Sequence, residues 1–229
     1  MAAESRRHWS VHCVIWVALV MVDDRALGLA AVGWMSQGFF FGRMALQWWH
    51  TRRAGGRIVT PRSFWVLSIF GAVLGVAYAW LKVRDVVFAA GYASTLVIYA
   101  RNLRLDSQPG RGLPRYAVLL LTLALVGTLV AALLSDPKIR QSWDQELLHW
   151  LAIGIVGQFI WQSRFILQWI ATENAGAVAM PRPFFAISIL GGLLMLSYSV
   201  HKGDLPLIVG QIPGPIVYLQ MWLKYRDPR

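Results

Sequence analysis

Charged side chains are scarce: they make up 14% of the 229 residues, against 57% hydrophobic, with a mean hydropathy of +0.50. A soluble globular chain carries about 25% charged residues, so a soluble enzyme is excluded. Cysteine is almost absent. The lone Cys13 rules out a disulfide framework and any cysteine-based zinc site. The formal charge is +11, yet the basic residues lie between apolar runs rather than on one face, which excludes a nucleic-acid-binding reading. Catalytic signatures are missing too. His8, His12, His50, His149 and His201 are scattered and form no ligand-spaced pair. The chain has no glycine-rich phosphate loop and no nucleophile motif with partners. No catalytic residue, metal ion or cofactor is expected.

What is present is a series of apolar runs near the length that a helix needs to cross a bilayer, about 20 residues. They are Leu27–Trp49, Phe64–Leu81, Val86–Ala100, Tyr116–Leu134, Leu147–Ile170, Phe184–Val200 and Leu205–Leu223. Backbone groups in lipid must be satisfied internally. None of the runs alternates as a barrel strand would, so the expected fold is an all-α polytopic membrane protein. A shorter apolar stretch, Val11–Val22, follows Arg6 and Arg7 and suggests an extra N-terminal helix. Arginine is concentrated in alternate loops. Arg52, Arg53, Arg57 and Arg62 fill one, Arg101, Arg104, Arg111 and Arg115 another, and Lys224, Arg226 and Arg229 lie in the tail. By the positive-inside rule these segments and the C-terminus face the cytoplasm.

The first and last thirds repeat one another. Gly33, Gln37, Arg43, Leu46, Gln47 and Trp48 recur as Gly154, Gln158, Arg164, Leu167, Gln168 and Trp169. After one dropped residue, Pro61, Arg62, Phe64, Ser68 and Gly71 recur as Pro181, Arg182, Phe184, Ser188 and Gly191, and Tyr78 and Lys82 match Tyr198 and Lys202. After a second deletion, Asp85, Gly91 and Tyr99 match Asp204, Gly210 and Tyr218. Chance likeness among apolar helices would copy Leu and Val, not this ordered polar set. Each unit holds three spans, an odd number, so Tyr116–Leu134 serves as an inverting linker that leaves both units pointing the same way. The expected layout is 3+1+3 parallel repeats of the kind known for SWEET-type transporters. Residues 1–26 form the N-terminal segment, 27–106 the first unit, 107–146 the linker and 147–229 the second unit.

Arg43 and Arg164 lie within their spans, where charge is costly. Two readings stand: each snorkels to the headgroups, or each faces inward and binds a phosphate bidentately. Gln47 and Gln168 follow at i+4, on the same helix face, which favours an inward polar surface. Gln37 and Gln158 either join helices or bind substrate. Trp48, Trp49 and Trp169 suit an interfacial belt. Asp85 and Asp204 suit helix capping, and Gly71, Gly91, Gly191 and Gly210 suit close helix approach. Gln211–Pro215 is a candidate hinge.

Arg164-Phe165-Ile166-Leu167-Gln168-Trp169-Ile170-Ala171-Thr172-Glu173, then Pro181-Arg182-Pro183-Phe184-Phe185 and Ser188-Ile189-Leu190-Gly191-Gly192, resembles the lipid-A-disaccharide synthase N-terminal domain family. The first unit adds Pro61-Arg62-Ser63-Phe64-Trp65 and an ending, Tyr99-Ala100-Arg101-Asn102-Leu103, similar to that family's Tyr-x-Arg-Asn-Leu close. The family belongs with PQ-loop and SWEET-like three-helix membrane proteins. The resemblance covers roughly residues 29–106 and 150–227. The halves depart from it differently: Arg52 stands opposite Glu173, and Gln220-Met221-Trp222 stands opposite Arg101-Asn102-Leu103. The family name implies hexosyltransferase activity, but the glycosyltransferase region is not visible in the sequence. The resemblance therefore implies a place in lipid A or related glycolipid biosynthesis in the bacterial inner membrane. The leading expectation is binding or translocation of a phosphate-bearing lipid-linked sugar, with Arg43, Gln47, Tyr99, Asn102, Arg164, Gln168 and Tyr218 as site residues. The alternatives are the synthase activity itself and a membrane scaffold for a soluble glycosyltransferase.

Overall fold

The structure, a computed structural model, describes residues 24–54, 60–107, 115–175 and 181–224. The suggested helix at Val11–Val22 lies outside them. The elements are α1 (Asp24–Arg53), α2 (Arg62–Tyr78) running into a π-helical turn (Ala79–Val83), α3 (Val86–Ser107), α4 (Arg115–Ser135), α5 (Pro137–Asp144), α6 (Leu148–Ala175), α7 (Arg182–Lys202), α8 (Leu205–Gln211) and α9 (Pro213–Lys224).

Prolines and aspartates place the helix starts. Pro61 and Pro181 stand in extended conformation just before α2 and α7, where a fixed φ and a missing N–H cost nothing. Asp85 accepts from the Phe88 amide at 3.0 Å, and Asp204 accepts from the Leu207 amide at 3.2 Å. Each satisfies an amide that the helix's own carbonyls cannot reach. Asp136 likewise caps α5 through the Lys138 amide.

Four helices are long and apolar enough to cross a membrane: Arg62–Val83, Val86–Arg104, Leu148–Gln168 and Arg182–Lys202. Leu120–Ser135 with Pro137–Asp144 adds a fifth if that pair, bent by 89°, is one span. The other expected runs differ for visible reasons. In α1, Gln37, Arg43 and Gln47 interrupt the apolar sequence. The run Leu205–Leu223 is divided into α8 and α9 around Ile212, ahead of Pro213, at the segment expected to bend. Large apolar side chains face outward: Leu148 is 81% exposed, Phe159 76% and Leu120 61%. That much bare hydrocarbon suits lipid contact rather than water.

α2 lies between α1 and α3, and α7 packs against α6, α8 and α9. Neighbours run antiparallel: Gly33 near the start of α1 meets Tyr78 at the end of α2, while Arg43 further along α1 meets Ser68 nearer the start of α2. The helices α1 with α8, and α3 with α6, join the two groups. These joints use corresponding positions of the sequence repeat. Gln37 presses on Gly210, and Gln158 on Gly91. Glycine is required there, because a β-carbon would occupy the glutamine's place. The best-buried cluster lies at the Asp85 end of the bundle. It brings together Tyr78, Ala79, Val87, Phe88, Met195, Tyr198 and Leu207, with Leu133 from α4 and Ile139 from α5.

Candidate functional site

Two arginine centres stand at the end of the bundle away from that cluster. The Arg43 Nη1 donates to Ser68 Oγ at 2.9 Å, and Ser68 donates onward to the Phe64 carbonyl. The Arg43 guanidinium lies over the rings of Phe40, Phe64 and Tyr99, 4.7, 5.1 and 5.2 Å from their centroids. Arg164 is buried, only 5% exposed, and its Nη1 donates to the Tyr218 hydroxyl at 3.3 Å. It lies 3.5 Å from the Trp161 centroid, 4.7 Å from Phe165 and 5.5 Å from Tyr218. Each such ring face contributes about 0.5–2 kcal/mol toward holding a cation, more where water is excluded. Phe40 corresponds to Trp161 in the repeat, and Tyr99 to Tyr218, so the two cages are variants of one design.

The cages hold the charges without neutralising them. Among the described residues neither arginine has a carboxylate partner, and the Nε of each is buried with no hydrogen-bond acceptor. A buried donor without an acceptor costs about 1–3 kcal/mol, more for a charged group.

The other expected site residues divide. Tyr99 and Tyr218 belong to the cages. Gln47 donates to Thr60 Oγ1 at 3.2 Å, tying the end of α1 to the start of α2. Gln168 and Asn102 are half-buried and make no side-chain hydrogen bond among the described residues. Gln37 donates to the Tyr92 hydroxyl, a helix-joining role. Trp48 and Trp49 are exposed, with Arg52 and Arg53 stacked over them, as interfacial residues would be. The sequence reading did not anticipate Ser68, Phe40, Phe64 or Trp161 around the arginines. All four recur or correspond in the repeat, and that was the available signal.

The opposite end carries a second polar arrangement, built by exchange. Tyr78 donates to Asp204 at 2.5 Å, and Tyr198 donates to Asp85 at 2.6 Å. Lys82 pairs with Asp204 and Lys202 with Asp85, both at 3.1 Å. Capping therefore uses one oxygen of each aspartate, while the other oxygen reaches the far repeat. The two copies differ in cover. Glu146, just beyond α5, binds both Lys202 and His201, and the His201 ring stacks on Trp150 at 4.4 Å. Burial pushes the Glu146 carboxyl up, but hydrogen bonds from Lys202 and His201 outweigh it and hold the group below its ordinary range. A shallow hollow of about 390 Å³ opens beside it, lined by Lys138, Gln141, Ser142, Gln145 and Glu146, away from the arginines.

The chain matches the family model described as the Lipid A Biosynthesis N-terminal domain twice, over residues 32–104 and 153–221. It is similar to proteins named lipid-A-disaccharide synthase. The one from Chlamydia trachomatis is 31% identical over 190 residues, covering 78% of this chain and 31% of the relative. That from Chlamydia felis is 29% identical, covering 87% and 34%, and that from Chlamydia pneumoniae is 30% identical, covering 77% and 30%. The chain thus spans about a third of the length of these relatives. No solved structure matches. The two family matches enclose both arginine centres and both members of the exchanged pairs, and on that footing this chain belongs to the Lipid A Biosynthesis N-terminal domain family, with a role in lipid A biosynthesis and with helices fit for a membrane.

Proposed function

We propose that this protein binds, and moves or presents, a phosphate-bearing lipid-linked sugar within the bacterial inner membrane. The observation that carries the reading is the pair of corresponding arginines, each caged by aromatic rings and each with a buried Nε awaiting an acceptor. Two three-helix units, 27–106 and 147–229, are joined by a linker holding an inverting span, and the ligand lies between them. Arg43 and Arg164 meet the phosphate. Tyr99 and Tyr218 brace the guanidinium groups and offer ring faces to a sugar, while Gln47, Gln168 and Asn102 supply polar edges. The arginine-rich end and the C-terminus face the cytoplasm.

The test is native mass spectrometry of gently solubilised protein, with movement of a lipid-linked sugar followed in vesicles. Wild type is expected to retain a phosphorylated glycolipid, and Arg43→Ala with Arg164→Ala to lose both retention and movement. Equal, unselective phospholipid on both proteins would assign the arginines to snorkelling. A second reading has its own support, since the relatives' matching segment belongs to chains about three times as long that are named for disaccharide synthesis. On that reading this chain presents its lipid to a soluble glycosyltransferase, and co-purification of such an enzyme would favour it.

A further inference from the structure

We infer that each caged arginine is a movable wedge with two seats, the serine of its unit's second helix and the tyrosine of its third, and that the structure holds one unit in each setting. The inference concerns the protein without ligand and does not depend on the reading above.

The two units present the same residues in the same register. Gly33 meets Tyr78 and Gly71 meets Phe40 in the first, while Gly154 meets Tyr198 and Gly191 meets Trp161 in the second. Ser68 and Ser188 are both fully buried, and each donates to the carbonyl one turn back, Phe64 or Phe184, at 2.6 Å. A hydroxyl that donates once still has lone pairs with which to accept. In the first unit the Arg43 Nη1 uses that capacity at 2.9 Å, and the Tyr99 hydroxyl takes no hydrogen bond among the described residues. In the second unit the Arg164 Nη1 donates to the Tyr218 hydroxyl instead, and it is Ser188 that accepts nothing among the described residues. Each unit uses one seat and leaves the other, and the choice is opposite.

The rings follow the guanidinium groups. Arg43 lies over Phe64 of α2 and Tyr99 of α3 as well as Phe40 of its own helix, so it stands between three helices. Arg164 is drawn toward its own helix, 3.5 Å from the Trp161 centroid and 4.7 Å from Phe165. Phe184 there stands edge-on against Tyr218, with centroids 5.7 Å apart, in the place that Arg43 takes between Phe64 and Tyr99. Burial agrees: Phe184 and Phe185 are buried at the start of α7, whereas Phe64 and Trp65 are half-buried at the start of α2. With the arginine inserted, the second and third helices stand apart at this end; with it withdrawn, they close on one another. The sequence explains which setting each unit prefers. Phe40 and Met44 stand where Trp161 and Phe165 do, and indole is the best ring face for a cation. Off both seats, the buried charge would have no hydroxyl partner, which is costly.

The experiment is a double-mutant cycle on the full-length chain in detergent, read as Tm. Ser188→Ala alone should leave Tm within about 1 °C of wild type, and Tyr218→Phe alone should cost little, because Arg164 then moves to Ser188. Together they strand the guanidinium and should lower Tm by about 4 °C more than the sum of the single effects. Adding Arg164→Gln to the double variant should restore stability, since no charge is left to seat. Ser68→Ala with Tyr99→Phe should behave in the same way, with Arg43→Gln relieving the loss. Exchanging the own-helix faces, Trp161→Phe with Phe165→Met, should move Arg164 onto Ser188, so that Ser188→Ala becomes costlier than Tyr218→Phe. Additive effects in both units overturn the inference. So does an excess that persists after Arg164→Gln, because it traces to direct contact between the serine and tyrosine positions. A double variant that fails to accumulate while both single variants do so counts as the excess, provided its Arg164→Gln form accumulates; loss of that form too overturns the wedge. Failure to bind a lipid-linked sugar leaves these melting values untouched, so the two readings fail separately.

Discussion

Arg84 and Gly203 hold the same place in the two repeats, just before the capping aspartates, and both adopt left-handed backbone, φ 58° and 66°. Such a conformation costs an L-residue about 1–2 kcal/mol and glycine nothing. A β-carbon at Gly203 would touch nothing within 4 Å, so the cost of adding one is purely conformational. Gly203→Ala is expected to lower Tm by about 2–4 °C per kcal/mol lost. Arg84→Gly should be close to neutral, since relieved strain offsets the lost Asp136 pair. Thermal unfolding in detergent reads both. Positions of this kind show how far single residues were legible. The arginines drew attention because charge within an apolar run is costly. Their cages did not, because Phe40 and Trp161 read in sequence as two more apolar residues on a buried helix.

Among the elements, the π-helical turn answers a mismatch between the repeats. Lys82 and Asp85 are three residues apart, whereas Lys202 and Asp204 are two apart. The extra residue is absorbed in the wider turn Ala79–Val83, and the Asp85 amide reaches back to the Ala79 carbonyl at 3.1 Å. Both aspartates thereby keep station opposite their tyrosines. Four of the seven expected spans were readable from hydropathy, and Pro213 marked the break between α8 and α9. α5 was not readable: an eight-residue helix holding Lys138, Arg140 and Asp144 resembles a loop. Yet its end delivers Glu146 to Lys202 and His201. Because the folded carboxyl sits below its unfolded value, the clamp's stabilisation is complete above the ordinary carboxylate range. It is lost as pH falls through the lower, folded value. Wild type should therefore unfold several degrees above Glu146→Gln at pH 7, with the gap closing toward pH 3. A gap that stays constant with pH would assign Glu146 a packing role instead.

For the whole molecule, the repeat in the sequence revealed which residues correspond but not which ones touch. Correspondence pairs Tyr78 with Tyr198, while contact pairs Tyr78 with Asp204, 126 residues away. Partner exchange of this kind leaves no trace in a single sequence. It also gives each half a need that only the other half meets, since an aspartate buried at this depth without its tyrosine and lysine is costly. Separate chains carrying residues 1–110 and 111–229 should accumulate and co-purify when expressed together, and be degraded when expressed singly, as immunoblots of membrane fractions would show. Stable accumulation of one half alone would refute that dependence. The polypeptide thus behaves as a heterodimer whose subunits share a backbone. Its tolerance to change is set by matched pairs, so a substitution at Asp204 is answered at Tyr78, not by its neighbours in sequence.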